Sequence, residues 1–343
     1  MFVGLDYHKK YIVATKMDRE GIVIEKIKFD NEPGLIRKFI DSLPNDAGIV
    51  MEASGGWYYF YEQVENKFPD MKLADPRKVK LIAESCIKTD KIDSEVLANL
   101  LRTNFLPTSY IPPRHIRDNR EILRYRASLV SIRTGIKNRV HAILTKNGIL
   151  PPFKDVFTQK GIRYMEKLEL RPAYRLELNG YIKIIEAIDS QISEAEKIIE
   201  NTVENDPRAM LLKSVKGISY FSALLILSEI GDIDRFSSAK RLCSYAGLVP
   251  RVYSSGGKTH YGSITKMGSK WLRWILVEVS HHFTKAYPKF KRLYDRVAFR
   301  HGKNTARITV AREMLRTIYY MLKENKSIEV TQRKEKIHVI RSA

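Results

Sequence analysis

The first thirty residues, MFVGLDYHKKYIVATKMDREGIVIEKIKFD (1–30), decide the fold class. They divide into the runs FVGLDYH, YIVATKMD and GIVIEKIKF, with turn-like junctions at Lys9-Lys10 and Arg19-Glu20-Gly21. Three short alternating runs at this spacing predict a meander of antiparallel strands. Outward from it, GLIRKFIDSL (34–43) has helical periodicity, and AGIVMEAS (47–54) reads as a fourth strand bounded by Asn45-Asp46 and Gly55-Gly56. WYYFYEQVENKF (57–68) reads as a helix whose aromatic residues serve mainly as core, and MKLADP (71–76) as a fifth strand ended by Pro76. The order β-β-β-α-β-α-β predicts a mixed sheet with helices, an α/β domain. A further helix is expected to start near Asp90, and Pro107, Pro112 and Pro113 mark the exit, so the first domain is placed at 1–113.

The rest of the chain reads as helical. Residues 114–147 form a basic helix with an apolar stripe at Ile116, Leu123, Ile136, Val140 and Leu144. Residues 174–204 form a second long amphipathic helix, so 114–205 is expected to be a coiled-coil-like linking and dimerisation region. A mainly helical C-terminal domain is placed at 206–343. Within it Val215-Lys216-Gly217-Ile218 resembles the turn of a helix-hairpin-helix. Residues 240–273 read as loop, 270–324 as helix, and the tail after Lys323 as loosely ordered.

A length of 343 residues suggests about two domains. Sixty Lys and Arg against 39 Asp and Glu give a net charge of +21. Residues 240–343 hold 23 basic residues against 6 acidic, a net of +17, whereas the first third is nearly balanced. Such a surface points to phosphate backbones as partners. Two cysteines, Cys86 and Cys243, exclude a disulfide scaffold and a four-cysteine zinc site. No apolar run approaches the ~18 residues of a membrane helix, and MFVGLDYHKK is no signal peptide. A cytoplasmic protein is expected.

Two constellations could carry chemistry. Asp6 lies in the first strand, Glu52 ends the fourth, and Asp90 and Asp93 share a face at a helix start. A carboxylate inside an apolar strand needs a reason, because an unpaired buried charge is costly. A magnesium site supplies one, built from carboxylates, water and substrate phosphate, and paired metals stabilise both oxygens of a phosphodiester displacement. Asp90 and Asp93 could alternatively serve the helix dipole. The second constellation is PRVYSSGGK (250–258), followed by Gly262, Lys266, Gly268 and Arg273. Gly257-Lys258-Thr259 is like the end of a P-loop, but Val252 stands where that motif needs glycine, which excludes an NTPase. Either serine of this cationic loop could attack phosphate, with Arg251, Lys258, Lys266 and Arg273 around it; a glycine-rich loop that binds phosphate passively is the simpler alternative. His281-His282 is read as surface or core.

GLDYHKK, VMEASGGWY, KTDKIDSEVLANLLR and the block from LLKSVKGISYF to SSGGKTHYGSITKMGSKWLR resemble a transposase of the insertion-sequence 110 family, over nearly the whole chain. The resemblance implies a RuvC-like domain of RNase H fold with Asp6, Glu52, Asp90 and Asp93 as magnesium ligands (manganese being plausible). It selects Ser255, with Ser254 adjacent, as a nucleophile forming a phosphoserine link to DNA. It also implies a composite site between subunits, a homodimer or tetramer, donor and target duplex DNA, and a structured non-coding guide RNA. A bacterial or archaeal, nucleoid-associated protein follows. The rival expectations are a Holliday-junction nuclease that uses water, and a non-catalytic nucleic-acid-binding protein.

Overall fold

Residues 1–82 and 90–328 are described by a computed structural model, apart from the side chains of Asp90, Lys91 and Lys258. Cys86 and the tail beyond Ile328 lie outside the described residues. The chain divides into two compact units, Met1–Pro112 and Pro113–Ala343.

In the first unit the alternating runs form β1 (Phe2–Tyr7), β2 (Tyr11–Met17) and β3 (Val23–Asp30), paired antiparallel. Then follow α1 (Pro33–Asp41), β4 (Gly48–Glu52), α2 (Trp57–Val64) and β5 (Lys72–Ala74). After α3 (Pro76–Ile82) and α4 (Asp90–Arg102), a two-residue strand β6 (Thr108–Ser109) closes the far edge, where the sequence suggests only a break. The mixed sheet has six strands in the order β3-β2-β1-β4-β5-β6, with β1, β4 and β5 parallel. Strand faces alternate, so Val3, Leu5, Ile49, Met51 and Leu73 join one core, which also takes in Trp57 and Phe60 of α2. The opposite face carries Gly4, Thr15 and Val50, and against it lies α4.

The fit of α4 depends on Gly4. A Cβ there would sit 2.0 Å from the Ser94 carbonyl oxygen and 2.6 Å from the Ala98 nitrogen. Only a residue without a side chain lets helix backbone approach strand backbone this closely. The Thr15 and Ser94 hydroxyls, 2.8 Å apart and buried, fix the contact.

The second unit is helical apart from one hairpin. The helices α5 (Arg114–Lys146) and α7 (Pro172–Glu204) have 33 residues each, about 50 Å of helix. They pack antiparallel, with α6 (Gln159–Glu166) beside one end, where Val140, Ile143, Leu178 and Ile182 form a separate core. The ion pairs Arg126–Glu196 (2.6 Å) and Arg133–Asp189 link the two along their length. The larger core takes in α8 (Pro207–Lys213), α9 (Tyr220–Ile230), α10 (Ala239–Tyr245), α11 (Lys270–Ala286), α12 (Pro288–His301) and α13 (Lys303–Glu324). Helix α9, YFSALLILSEI, is apolar nearly all round and buried nearly all round, as such a sequence requires. It begins in a Ser219–Ser222 capping box and ends at Gly231, where φ is +66°.

Residues 250–264, expected to be loop, instead form an antiparallel hairpin of β7 (Pro250–Ser255) and β8 (Lys258–Ile264). Gly256 and Gly257 have φ of +56° and +77°, the two positive values that a two-residue type I′ turn needs.

Substituting Gly4 by Ala is expected to cost about 1–3 kcal/mol by overpacking, seen as a lower urea midpoint. The matched change Gly34→Ala, at a position in α1 with nothing within 4 Å of the added carbon, is expected to leave the midpoint equal or higher.

Candidate functional site

Asp6 and Glu52 each lie one residue beyond the last registered pair of β1 and β4, Leu5↔Met51. These two strands are parallel neighbours, so the carboxylates share the α4 face at the carboxyl ends of adjacent strands. That is where open α/β sheets place their ligands. Helix α4 runs antiparallel to β4. Leu101 lies against Gly48, and Leu97 packs with Val50. Four helical residues advance about 6 Å and two strand residues about 6.6 Å. The same progression carries Asp93 to the level of Glu52. Asp90 opens the helix one turn further out, and its side chain lies outside the described residues.

The Asp6 carboxylate is 16% exposed and accepts a hydrogen bond from His8 Nε2 at 3.0 Å. Sequence reasoning misses His8, although the signal is present in the run FVGLDYH, where His8 follows Asp6 by two residues and would share its face if the strand continued. Among the described residues no group of three or more His, Cys, Asp or Glu comes together closely enough to hold a metal ion. The donors that do line this face, carboxylate oxygens, are the kind magnesium prefers.

Ser255 is the last residue of β7 and is paired with Lys258 across the Gly256-Gly257 turn. Paired residues share a face, so Ser255 lies on the side of Tyr253 and His260, while Ser254 lies with Thr259, its hydroxyl 3.3 Å from the Thr259 hydroxyl. Both serines are exposed. The base of the hairpin is held firmly. Thr265 N donates to the Val249 carbonyl (2.8 Å), and Ser269 N to the Tyr245 carbonyl (3.0 Å). The Ser269 hydroxyl caps α11 by accepting from Leu272 N and donates to Glu229 Oε2 at 2.7 Å. Glu229 is 4% exposed and is met from α5 by Arg120 (3.7 Å) and Arg124 (3.5 Å). An exposed tip therefore stands on a base tied to three helices.

The expected cations differ in role. Arg251 and Lys266 are exposed, the latter at φ +54°. Arg273 donates to the Ala246 carbonyl at 2.9 Å and so helps hold the hairpin base. Lys258 is placed by its backbone alone. In the helix-hairpin-helix-like turn before α9, Lys216 N donates to the Tyr287 hydroxyl at 3.1 Å, so this amide is already satisfied and is not offered to a ligand phosphate. Cys243 is fully buried, and burial pushes its thiol up to about 11, leaving it protonated at neutral pH and no rival nucleophile.

Two family profiles match the chain: a DEDD transposase profile of the IS110 type over residues 3–148, and the transposase IS116/IS110/IS902 family over residues 209–295. The chain belongs to the IS110 family of transposases. It is 26% identical to the transposase of insertion sequence element IS1328 from Yersinia enterocolitica, covering 80% of this chain and 81% of that one. It is 24% identical to the IS1111A transposase of Coxiella burnetii, covering 80% and 77%. A pilin gene-inverting protein of Moraxella bovis is 35% identical over 150 residues, 42% of this chain and 45% of that one. Both profiles fall on the regions just described, the first on the carboxylate face and the second on the helices around the serine hairpin. No helix among the described residues of this transposase is long and apolar enough to cross a membrane.

Changing Arg251 or Lys266 to Gln is expected to reduce the slope of log K against log [salt] for duplex DNA by about one unit for each phosphate no longer neutralised. Changing Arg273 to Gln is expected to lower the melting temperature instead. Anisotropy titrations between 50 and 200 mM salt, a range chosen because counterion release acts strongly across it, read the first effect, and calorimetry reads the second.

Proposed function

We propose that this transposase cuts and rejoins DNA strands by transesterification, with Ser255 as nucleophile and the RuvC-like carboxylates Asp6, Glu52, Asp90 and Asp93 as a magnesium site. The observation that carries this reading is the hairpin: an exposed serine at a glycine turn, on a base held by partly buried hydrogen bonds. Isolated two-stranded hairpins are marginal in water, and this one exposes Val252, Tyr253 and Tyr261 to 55%, 61% and 73%. A partner surface that covers Tyr253 would meet Ser255 on the same face of the hairpin, one that covers Val252 and Tyr261 would meet Ser254, and a two-stranded ribbon fits a DNA groove.

The chemistry balances without a nucleotide cofactor. The Ser255 oxygen forms a bond to phosphorus, the bridging bond to a deoxyribose oxygen breaks, and the serine proton passes to the leaving oxygen or to solvent. A hydroxyl of the recipient strand then attacks the phosphoserine and releases Ser255 as it was. One phosphodiester is replaced by another. Magnesium bound by the four carboxylates would neutralise the charge that develops on the phosphate oxygens. His8 orients the Asp6 carboxylate, and Arg251, Lys258 and Lys266 hold the phosphate backbone.

The family resemblance further supports a structured guide RNA that pairs with donor and target DNA. The protein then reads little sequence itself, in keeping with a surface of net charge +21. Assembly of the carboxylate and serine parts from different subunits of a dimer or tetramer belongs to the same proposal. The exposed Ile132 and Ile184 of the α5/α7 pair support such contacts.

With the flanking DNA of its gene supplied, so that any guide RNA is made, the wild type is expected to give an SDS-stable protein–DNA adduct. Ser255→Ala is expected to give none, and Asp93→Asn to lose cleavage while keeping nucleic-acid binding. An adduct that survives in Ser255→Ala moves the nucleophile to Ser254. Metal-dependent nicking with no adduct in the wild type favours water as nucleophile and overturns the serine mechanism.

A further inference from the structure

Away from both sites, α12 and α13 enclose a groove of about 630 Å³ lined by Lys289, Phe290, Arg292, Leu293, Arg296, Thr309 and Glu313. Phe290 is the buried floor. Lys289, Arg292, Arg296 and Phe299 follow one another at steps of three, four and three residues along α12, so they form one stripe on the helix surface. It is about 15 Å long. Among the described residues neither Arg292 nor Arg296 is paired with a carboxylate. Lys291, on a neighbouring face, takes up Asp295 (3.1 Å), and Glu313 is engaged by Arg316 at 3.0 and 3.1 Å. Phe299 ends the stripe. Its side chain is 92% exposed, more than any other Phe, Tyr or Trp among the described residues. Arg300 and His301 adjoin it in sequence, and Lys303 and Arg307 follow in α13.

A single exposed apolar residue requires no explanation. An exposed ring at the end of a stripe whose two arginines meet no carboxylate among the described residues, beside a groove, is a different object. Cations along a groove track a phosphate backbone, and a free aromatic face stacks on a base. The base must be unpaired, because in a duplex both of its faces are covered by its neighbours.

We propose that the α12 stripe is a docking track for an unpaired DNA strand, with Arg292 and Arg296 on its phosphates and Phe299 stacked on a base. That the strand is DNA rests on the strand-transfer reading above, since cutting and exchanging strands leaves bases transiently unpaired. The track itself needs neither Ser255 nor the carboxylates.

The test is anisotropy with the full chain and three labelled probes: a short oligo(dT), an oligo(rU) of equal length, and a mixed-sequence DNA duplex. Phe299→Ala is expected to weaken oligo(dT) binding about tenfold, the scale of a single base–aromatic stack, with unchanged salt slope and unchanged duplex affinity. Phe299→Trp is expected to retain wild-type affinity. Arg296→Gln is expected to lower the salt slope for oligo(dT) by roughly 0.7. Phe299 covers no core, so these variants test binding and not folding, and circular dichroism checks that. Unchanged oligo(dT) affinity in Phe299→Ala overturns the proposal, as does an equal loss on duplex. A loss confined to oligo(rU) overturns the assignment to DNA. Failure of the adduct assay leaves this result untouched, so the two readings fall separately.

Discussion

Helix backbone can lie against strand backbone only where the strand carries no side chain, and in the first unit that place is Gly4. With the Ser94 carbonyl and the Ala98 amide seated there, the whole of α4 is indexed to the sheet. Leu101 falls at Gly48 and Leu97 at Val50, and Asp93 is thereby carried to Glu52. The carboxylate face is a consequence of that index. A methyl group at position 4 would lift the helix and change the level of Asp93 relative to the ends of β1 and β4.

The second unit has a comparable constraint of the opposite kind, a charge buried at the junction of three helices. Glu229 lies in α9 and receives Arg120 and Arg124 from α5 and the Ser269 hydroxyl from the first turn of α11. Arg120 also donates to the Ser228 carbonyl at 3.0 Å. Removing one member of such a group leaves the others charged and unpaired in low dielectric, which is far more costly than an apolar exchange. The group therefore specifies one arrangement of α5, α9 and α11. The β7–β8 hairpin inherits that arrangement through Ser269 and the backbone bonds at 245–249. The nucleophile proposed at Ser255 would have to be held to within a fraction of an ångström to be useful, and a serine at the tip of a ribbon has only the base of the ribbon to hold it.

The sequence is most legible where one physical signal dominates. The alternation in 1–30 yields three strands in their observed pairing, and Asp6 and Glu52 stand out because charged residues inside apolar strands are costly. The hairpin at 250–264 is not legible, because Val252, Tyr253 and Tyr261 are all exposed and no inside–outside alternation exists to read. Its only local signal is Gly256-Gly257, which a loop would share. β6, two residues long, is held by pairing with β5 and not by propensity. Arg117 and Arg120 read as part of the polar face of a basic helix, yet both are buried. The clue lies 109 residues away from Arg120, in the single carboxylate of the run ALLILSEI, and no periodicity within α5 could supply it.

These ion pairs divide the basic residues into two populations with different consequences. Arg120, Arg124, Arg126 and Arg133 are answered by carboxylates within the fold and contribute little to the outer field. Residues 240–343 hold 23 basic residues against 6 acidic, so most of their charge has no counterpart within that stretch. Uncompensated like charge repels itself and weakens the compact state. A polyanion that binds the folded form and not the unfolded chain reverses this by mass action, by about 2.7 kcal/mol when its concentration is a hundred times its dissociation constant. The same cations that make the free protein less stable thus make its complex more stable. In the function proposed above, that polyanion is the nucleic acid on which the transposase acts.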